Sequence, residues 1–294
     1  MIRPSQRVSR LAFRDGVFSE GQRAIPEETA VALVYDGGTQ AVMMATPADI
    51  EDFALGFSLT EGIIADPSDI TDLEIAEQAN GIEARMWLKS ERSQVLAARR
   101  RNLAGPTGCG LCGIDSLQEA LRAPRPVTSD LAVTPAEIEA ALASLSPAQA
   151  LNRETRAVHA AGFWTRDKGL VALREDVGRH NALDKLAGAL AGTADILSAS
   201  SSLSDGTTVQ DAGWKPAVPA NGIIVLTSRI SVELIQKTAM IGAPILVAVS
   251  APTALALRLA EQAGITLVGI ARGDGFEVFT HPQRLVPEPL SHVA

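Results

Sequence analysis

The residues best suited to chemistry are Cys109 and Cys112, the only two cysteines among 294 residues. They lie in Thr107-Gly108-Cys109-Gly110-Leu111-Cys112-Gly113. Glycine adopts positive φ at little cost, so this spacing predicts a mobile loop, followed by a short helix from Ser116 to Leu121. A thiolate on such a loop can meet one partner and deliver to another. Arg99, Arg100 and Arg101 precede Cys109 by eight to ten residues. Arginines held nearby would favour thiolate over thiol, although such a run is also the composition of a solvated surface.

Three readings of the pair stay open: two small hydrophobes in a turn, thiol chemistry, or a metal site. A structural zinc needs four ligands, and there is no second Cys-x-x-Cys and no close pair among the four histidines. The His-x-Glu of a zinc deaminase is absent, and glycines on this scale do not suit a thioredoxin-type helix start. No tightly bound metal is expected.

A second set of polar residues falls between strand and helix patterns. Arg174-Glu-Asp-Val-Gly-Arg179-His180-Asn181, Thr227-Ser228-Arg229 and Ser250-Ala-Pro-Thr253 each sit where a strand should end and a helix begin. In an open α/β sheet those ends share one edge, where ligands bind. Helix starts offer free N–H groups and a favourable dipole for phosphates. Arg179, Arg229, Ser228, Ser250 and Thr253 therefore form a candidate phosphate or nucleotide site, although neither a P-loop nor Gly-x-Gly-x-x-Gly occurs. Ser and Thr at helix starts are also ordinary caps. His180 belongs to the same candidate cofactor-binding set; a histidine at a helix start is also an ordinary structural group, and Glu175, Asp176 and Asp184, near it in sequence, could orient it for acid–base work. His159 reads as a core or site-lining residue. His281, before Pro282, reads as a turn residue or the lining of a ligand edge.

The elements that must position these groups follow from periodicity. Residues 1–20 are basic and irregular and read as a loose arm. Ala30–Tyr35 and Gln40–Met44 flank Asp36-Gly37-Gly38 as a hairpin. A helix is expected from Thr46 as N-cap, with Pro47 at its first position and an apolar face of Ile50, Phe53, Ala54, Phe57 and Ile64. Leu73–Glu77 and Gly81–Leu88 read as strands. Residues 123–133 hold two prolines and read as a linker. Thr134-Pro135-Ala-Glu137 is a capping box for a helix to about Leu145. Val158–Trp164 and Gly169–Leu173 form a hairpin pattern. Helices then alternate with strands at 222–226, 245–249 and 266–270, with a final edge strand at Phe276–Phe279. That alternation predicts parallel strands covered by helices on both faces. Residues 192–221 break it and read as a surface insertion. The division is thus 1–122, a small α+β unit ending in the cysteine loop; 123–133; and 134–294, the α/β unit.

The net charge is −8 and 46% of residues are hydrophobic. An acidic chain lacks the basic face that general nucleic-acid binding uses. No apolar run approaches a membrane span. The N-terminus has no apolar signal core, so a cytoplasmic protein is expected. In that compartment a lone cysteine pair is more often catalytic, redox-active or metal-binding than a structural disulfide.

Taken together, these residues resemble the formate dehydrogenase accessory sulfurtransferases, the FdhD family. The resemblance runs through Ala54–Ile64, Gly108–Gly113, Val158–Ala161, Arg174–Lys185, Ser228-Arg229, Glu233–Lys237, Val249–Thr253 and Thr280–Arg284. The longer 192–221 segment departs from it. The resemblance implies a sulfur carrier between a cysteine desulfurase and the molybdenum cofactor, ahead of formate dehydrogenase. Cys109 would hold the sulfur as a persulfide, and Cys112 would assist or resolve. It implies binding of the bis-guanine-dinucleotide cofactor, with GDP as a mimic, at Phe276, Glu277, Val278, Phe279, Thr280 and His281. It also implies a homodimer and a cytidine-deaminase-like three-layer α/β/α domain behind a smaller α+β domain. A cofactor-holding chaperone without covalent transfer is the alternative, and a zinc-stabilised nucleotide hydrolase a third.

Overall fold

The computed structural model describes residues 2–102, 123–198 and 221–287. The chain has the mixed α/β class expected of it. The cysteine loop, Ser116–Leu121 and most of residues 192–221 lie outside the described residues.

The chain begins with a ribbon. β1 (Ser5–Arg14) and β2 (Val17–Pro26) pair antiparallel from Ser5↔Pro26 to Arg14↔Val17. This corrects the expected loose arm. Asp15 and Gly16 take φ of 51° and 79°, the two-residue Asp-Gly turn whose twist suits a hairpin. Embedded among arginines, that dipeptide is easily passed over.

A four-stranded sheet follows, ordered β4-β3-β6-β5 from β3 (Thr29–Tyr35), β4 (Gly38–Ala45), β5 (Ile70–Gln78) and β6 (Gly81–Leu88). β3 and β6 run parallel and the other neighbours antiparallel. Helix α1 (Ile50–Thr60) buries Phe53, Ala54 and Phe57 against its inner face. α1 does not start at Thr46. It starts behind Asp49, which is left-handed at φ 54°, and ends at Thr60, short of Ile64. Thr46 is wholly buried and committed elsewhere: its N–H donates to Asp176 and its hydroxyl accepts from the Val177 N–H. Helix α2 (Ser90–Asn102) closes this part.

The six-stranded sheet is ordered β12-β11-β10-β9-β7-β8. It comprises β7 (His159–Thr165), β8 (Gly169–Asp176), β9 (Ile223–Leu226), β10 (Ile245–Ala248), β11 (Thr266–Arg272) and β12 (Gly275–Val278). β9, β10 and β11 are mutually parallel, whereas β7 runs against both β8 and β9, so β8 points the same way as the parallel three. Helix α3 (Pro135–Ala148) covers one face through Ile138, Ala141 and Leu145. Its capping box forms as the sequence predicts: Glu137 N–H donates to the Thr134 hydroxyl, and Thr134 N–H to the Glu137 carboxylate. A short helix α4 (Ala150–Thr155) follows, which periodicity did not reveal. The other face carries α5 (Arg179–Ser198), α6 (Val232–Ile241) and α7 (Ala254–Ala263). Val127 is buried against this face, its N–H donating to the Ala263 carbonyl.

The two sheets share α1 and α5. Glycines let these helices meet backbone to backbone: a Cβ on Gly56 would lie 1.7 Å from the Asp184 carbonyl oxygen, and one on Gly188 would lie 2.0 Å from that of Asp52. Ala191 of α5 belongs to the core of the small sheet.

Candidate functional site

β8, β9 and β10 end on one edge of the large sheet, and each feeds a helix there. This brings Arg179 and His180 (start of α5), Ser228 and Arg229 (before α6), and Ser250 and Thr253 (before α7) to a common edge. His159 joins them, since β7 starts where β8 ends, with His159 opposite Asp176.

Asp176 is the anchor of this edge. Its Oδ1 accepts from Gly178 N–H at 2.7 Å and Asn181 Nδ2 at 3.0 Å. Its Oδ2 accepts from Thr46 N–H at 2.9 Å and pairs with Lys185 Nζ at 2.7 Å. Both charged groups are wholly buried. A charge so deep is tolerable only when paired and fully hydrogen-bonded. The effect is to fix the Gly178-Arg179 corner and hold the first turn of α5 toward the edge.

The groups expected to orient His180 are engaged elsewhere. Glu175 accepts the N–H groups of Leu151 and Asn152 and so caps α4. Asp184 is buried with Lys237, 2.9 Å away, and with the Thr60 hydroxyl. Burial raises the Asp184 pKa, against the Lys237 charge and the Thr60 hydrogen bond. The partners His180 has are Ser231 Oγ at 3.4 Å and Glu233 Oε2 at 3.7 Å. The neighbouring His180 imidazole, with Ser231, holds the Glu233 carboxyl down at about 2 despite its burial. Ser231 and Glu233 are site residues that sequence reasoning missed. The only signal was a Ser-x-Glu at a helix start, which is also an ordinary capping pattern.

Burial, reinforced by the positive charge of Arg179, lowers the His159 pKa, with Asp176 opposing. Burial and the neighbouring Arg179 charge thus disfavour the protonated form of His159. Arg179 Nε and Glu233 Oε2 are buried atoms without a hydrogen-bond partner among the described residues. Such atoms are costly unless something meets them. The Arg179 guanidinium, an exposed Arg229, helix N–H groups and a carboxylate can together hold an anion on one side and an N–H donor on the other. Thr253 serves as the cap of α7, accepting from Ala256 N–H, and Ser228 donates to the Arg229 carbonyl.

Phe276–His281 is divided from this edge. β12 runs antiparallel to β11, so the segment starts near the shared edge and leaves it. Phe276 and Val278 pack on the α3 face, with Glu277 between them opposite Gly269; Phe279 packs on the α7 face. Thr280 is buried, and its hydroxyl bridges Leu267 N–H and the Ile265 carbonyl at the far end of β11. His281 has φ 47°, and its Nε2 lies 3.0 Å from the Glu261 carbonyl. Thr280 and His281 therefore do not meet Arg179, Ser228 or Thr253. No cluster of three or more metal-type ligands occurs among the described residues, and no described helix is long and apolar enough to cross a membrane.

A model of the FdhD/NarQ family matches residues 26–286. An Agrobacterium fabrum protein named sulfur carrier protein FdhD is 50% identical over 282 residues, spanning 96% of this chain and 96% of its own length. A Cupriavidus necator protein of the same name is 51% identical over 265 residues, spanning 90% and 84%. The crystal structure of a Desulfotalea psychrophila protein, named as a formate dehydrogenase accessory protein, superposes with a TM-score of 0.71. It covers 96% of this chain and 100% of its own at 24% identity, a likeness of fold.

Proposed function

Because this chain belongs to the FdhD/NarQ family, we propose that it is a cytoplasmic sulfurtransferase that serves the maturation of formate dehydrogenase. It takes sulfur from a cysteine desulfurase as a Cys109 persulfide and passes it to the molybdenum cofactor in its bis-guanine-dinucleotide form. It acts as a homodimer. The observation that carries this reading is that the only two cysteines of the chain form one glycine-flanked Cys-x-x-Cys, in a sequence half identical, end to end, to proteins named sulfur carriers.

In loading, the Cys109 thiolate attacks the terminal sulfur of the desulfurase persulfide. That S–S bond breaks, the desulfurase leaves as a thiolate, and nothing is oxidised overall. In release, the Cys112 thiolate attacks the Cys109 sulfur and expels hydrosulfide for the metal. The loop thiols supply the two electrons and end as a disulfide, which cellular dithiols reduce. The cofactor is cargo. Arg179, Arg229 and the helix starts suit its phosphates, and the Glu233 carboxylate, 3.7 Å from His180, suits an N–H donor. Of the Phe276–His281 segment, only its start near the shared edge would reach the same ligand, since Thr280 and His281 lie at the far end of β11.

The test is an intact mass measurement after incubation with a desulfurase and cysteine. One reductant-labile sulfur is expected on the protein and none on Cys109→Ala. A Cys109→Ala protein that still activates formate dehydrogenase would replace this reading with that of a cofactor-holding chaperone. The binding half has its own prediction. Arg179→Ala should weaken GDP binding about 10- to 100-fold, the worth of a charge-assisted hydrogen bond, measured by calorimetry, while sulfur loading of Cys109 stays intact.

A further inference from the structure

The β1–β2 ribbon carries a surface that neither the sulfur site nor the cofactor edge explains. Leu11, Phe13, Val17 and Phe18 are 61–66% exposed. Phe13 and Phe18 face each other across the turn with ring centroids 4.8 Å apart, and the register puts Leu11 on their face of the ribbon. A two-stranded ribbon is marginal in water unless something packs on it. Among the described residues its root is held through Arg23 to the Thr155 carbonyl and Ser5 to Glu154. Farther out, Arg10 Nη1 is a buried atom with no hydrogen-bond partner among the described residues.

Charge points to the occupant. Residues 1–26 hold five arginines and two carboxylates, a net +3 in a chain of net −8, so the rest carries −11. The chain also holds a receptacle of matching chemistry. A cavity of about 390 Å³ is lined by Ile50, Ile75 and Ile82 and by the acids Asp49, Glu51, Asp52 and Glu77, of which Asp49 and Asp52 pair with Arg174 of the same chain. A dry cavity of about 150 Å³ admits one benzene ring, so this one has room for two. Ile2 also lines it, three residues before the ribbon starts, so the cavity lies at the root of the ribbon.

We propose that the ribbon is an exchanged arm: in a twofold dimer the Phe13–Phe18 tip of each copy seats in the acid-lined cavity at the root of the other. Two ribbons laid antiparallel across the axis put each tip at the partner's root, which is the reciprocal contact a twofold interface requires. A ten-residue ribbon is ~33 Å long and ~10 Å wide, about 300 Å² on one face. Two facing ribbons bury about 600 Å² together, and the two tips seated in the partner cavities add to this toward the roughly 1,200 Å² of a stable interface. The inference specifies the homodimer of the reading above, and it is separable from sulfur chemistry because loading of Cys109 needs no partner copy.

The experiment is sedimentation equilibrium of the full chain from nanomolar to micromolar concentration. Wild type should be dimeric. The double variant Phe13→Ser/Phe18→Ser should raise the dimer dissociation constant at least 100-fold, roughly two buried aromatic hot spots, with an unchanged circular dichroism spectrum. Glu77→Lys, a surface change at the opposite end of the contact, should weaken the dimer in the same direction. Val42→Ser/Met44→Ser, on the outer face of the small sheet, should leave it intact. A monomeric wild type, a dimer untouched by the Phe13/Phe18 variant, or one broken only by Val42/Met44 would overturn the proposal. So would a monomer whose ribbon instead binds phosphatidylserine vesicles, since the arm would then belong to a membrane surface.

Discussion

Replacing Lys185 by methionine should lower the unfolding free energy by about 3–5 kcal/mol, the cost of breaking a buried ion pair from one side. Lys185 and Asp176 are both fully buried and 2.7 Å apart. Lys185 also donates to the Thr46 carbonyl at 2.9 Å, and its ammonium stands 5.9 Å from the centre of the Phe53 ring. Methionine fills similar volume but leaves the Asp176 carboxylate dry, with three neutral donors in place of a cation. The measurement is the urea midpoint, which should fall while the slope stays constant. Replacing Asp176 by leucine as well should recover only part of the loss. The buried charge would be gone, but the Thr46 and Gly178 N–H groups and the Asn181 amide would each lose an acceptor. Full recovery in the double variant would mean that Asp176 does not fix the Gly178-Arg179 corner.

Gly56→Ala should cost about 3 kcal/mol or more, at the upper end for overpacking. In an ordinary helix interior the same change gains up to about 1 kcal/mol, so the sign itself is diagnostic. The new Cβ would lie 1.7 Å from the Asp184 carbonyl oxygen and 2.6 Å from the Gly188 nitrogen. Both are helix backbone and cannot rotate aside, so α1 and α5 must part. Gly188→Ala should behave alike, because its Cβ would meet the Asp52 carbonyl oxygen at 2.0 Å. Thermal melts of the two variants check this, and a raised melting temperature in either would contradict the close crossing.

The parts legible in sequence were those whose cause is local. Thr134 and Glu137 sit three residues apart and cap the helix that they announce. Short apolar runs such as Ile223–Leu226 and Ile245–Ala248, separated by helix-period stretches, specify parallel strands and so a shared polar edge. What was hidden has a distant partner. Thr46 has the composition of a cap, but its hydrogen bonds go to Asp176 and Val177, about 130 residues away. His180 finds Ser231 and Glu233 across 51 and 53 residues, not the acids beside it in sequence. Asp15-Gly16 was legible in principle, yet the surrounding arginines outweighed it in a reading by composition. The strand at 276–279 was expected from its apolar pattern; which end of the sheet Thr280 and His281 occupy depends on the direction of β12, and periodicity carries no direction.

The crossing of α1 with α5 has a consequence for the order in which the chain can fold. Residues Thr29 to Leu88 build the small sheet, but the helix face opposite α1 arrives only with Gly188 and Ala191, roughly 130 residues after Gly56. A chain leaving the ribosome therefore carries its first half with one apolar flank uncovered until the second half has been made. The loop entropy of that closure must be met before the contact rewards it, which slows folding and favours chaperone contact during synthesis. Cys109 and Cys112 are made inside this window, so the thiols exist before the core on either side of them has closed.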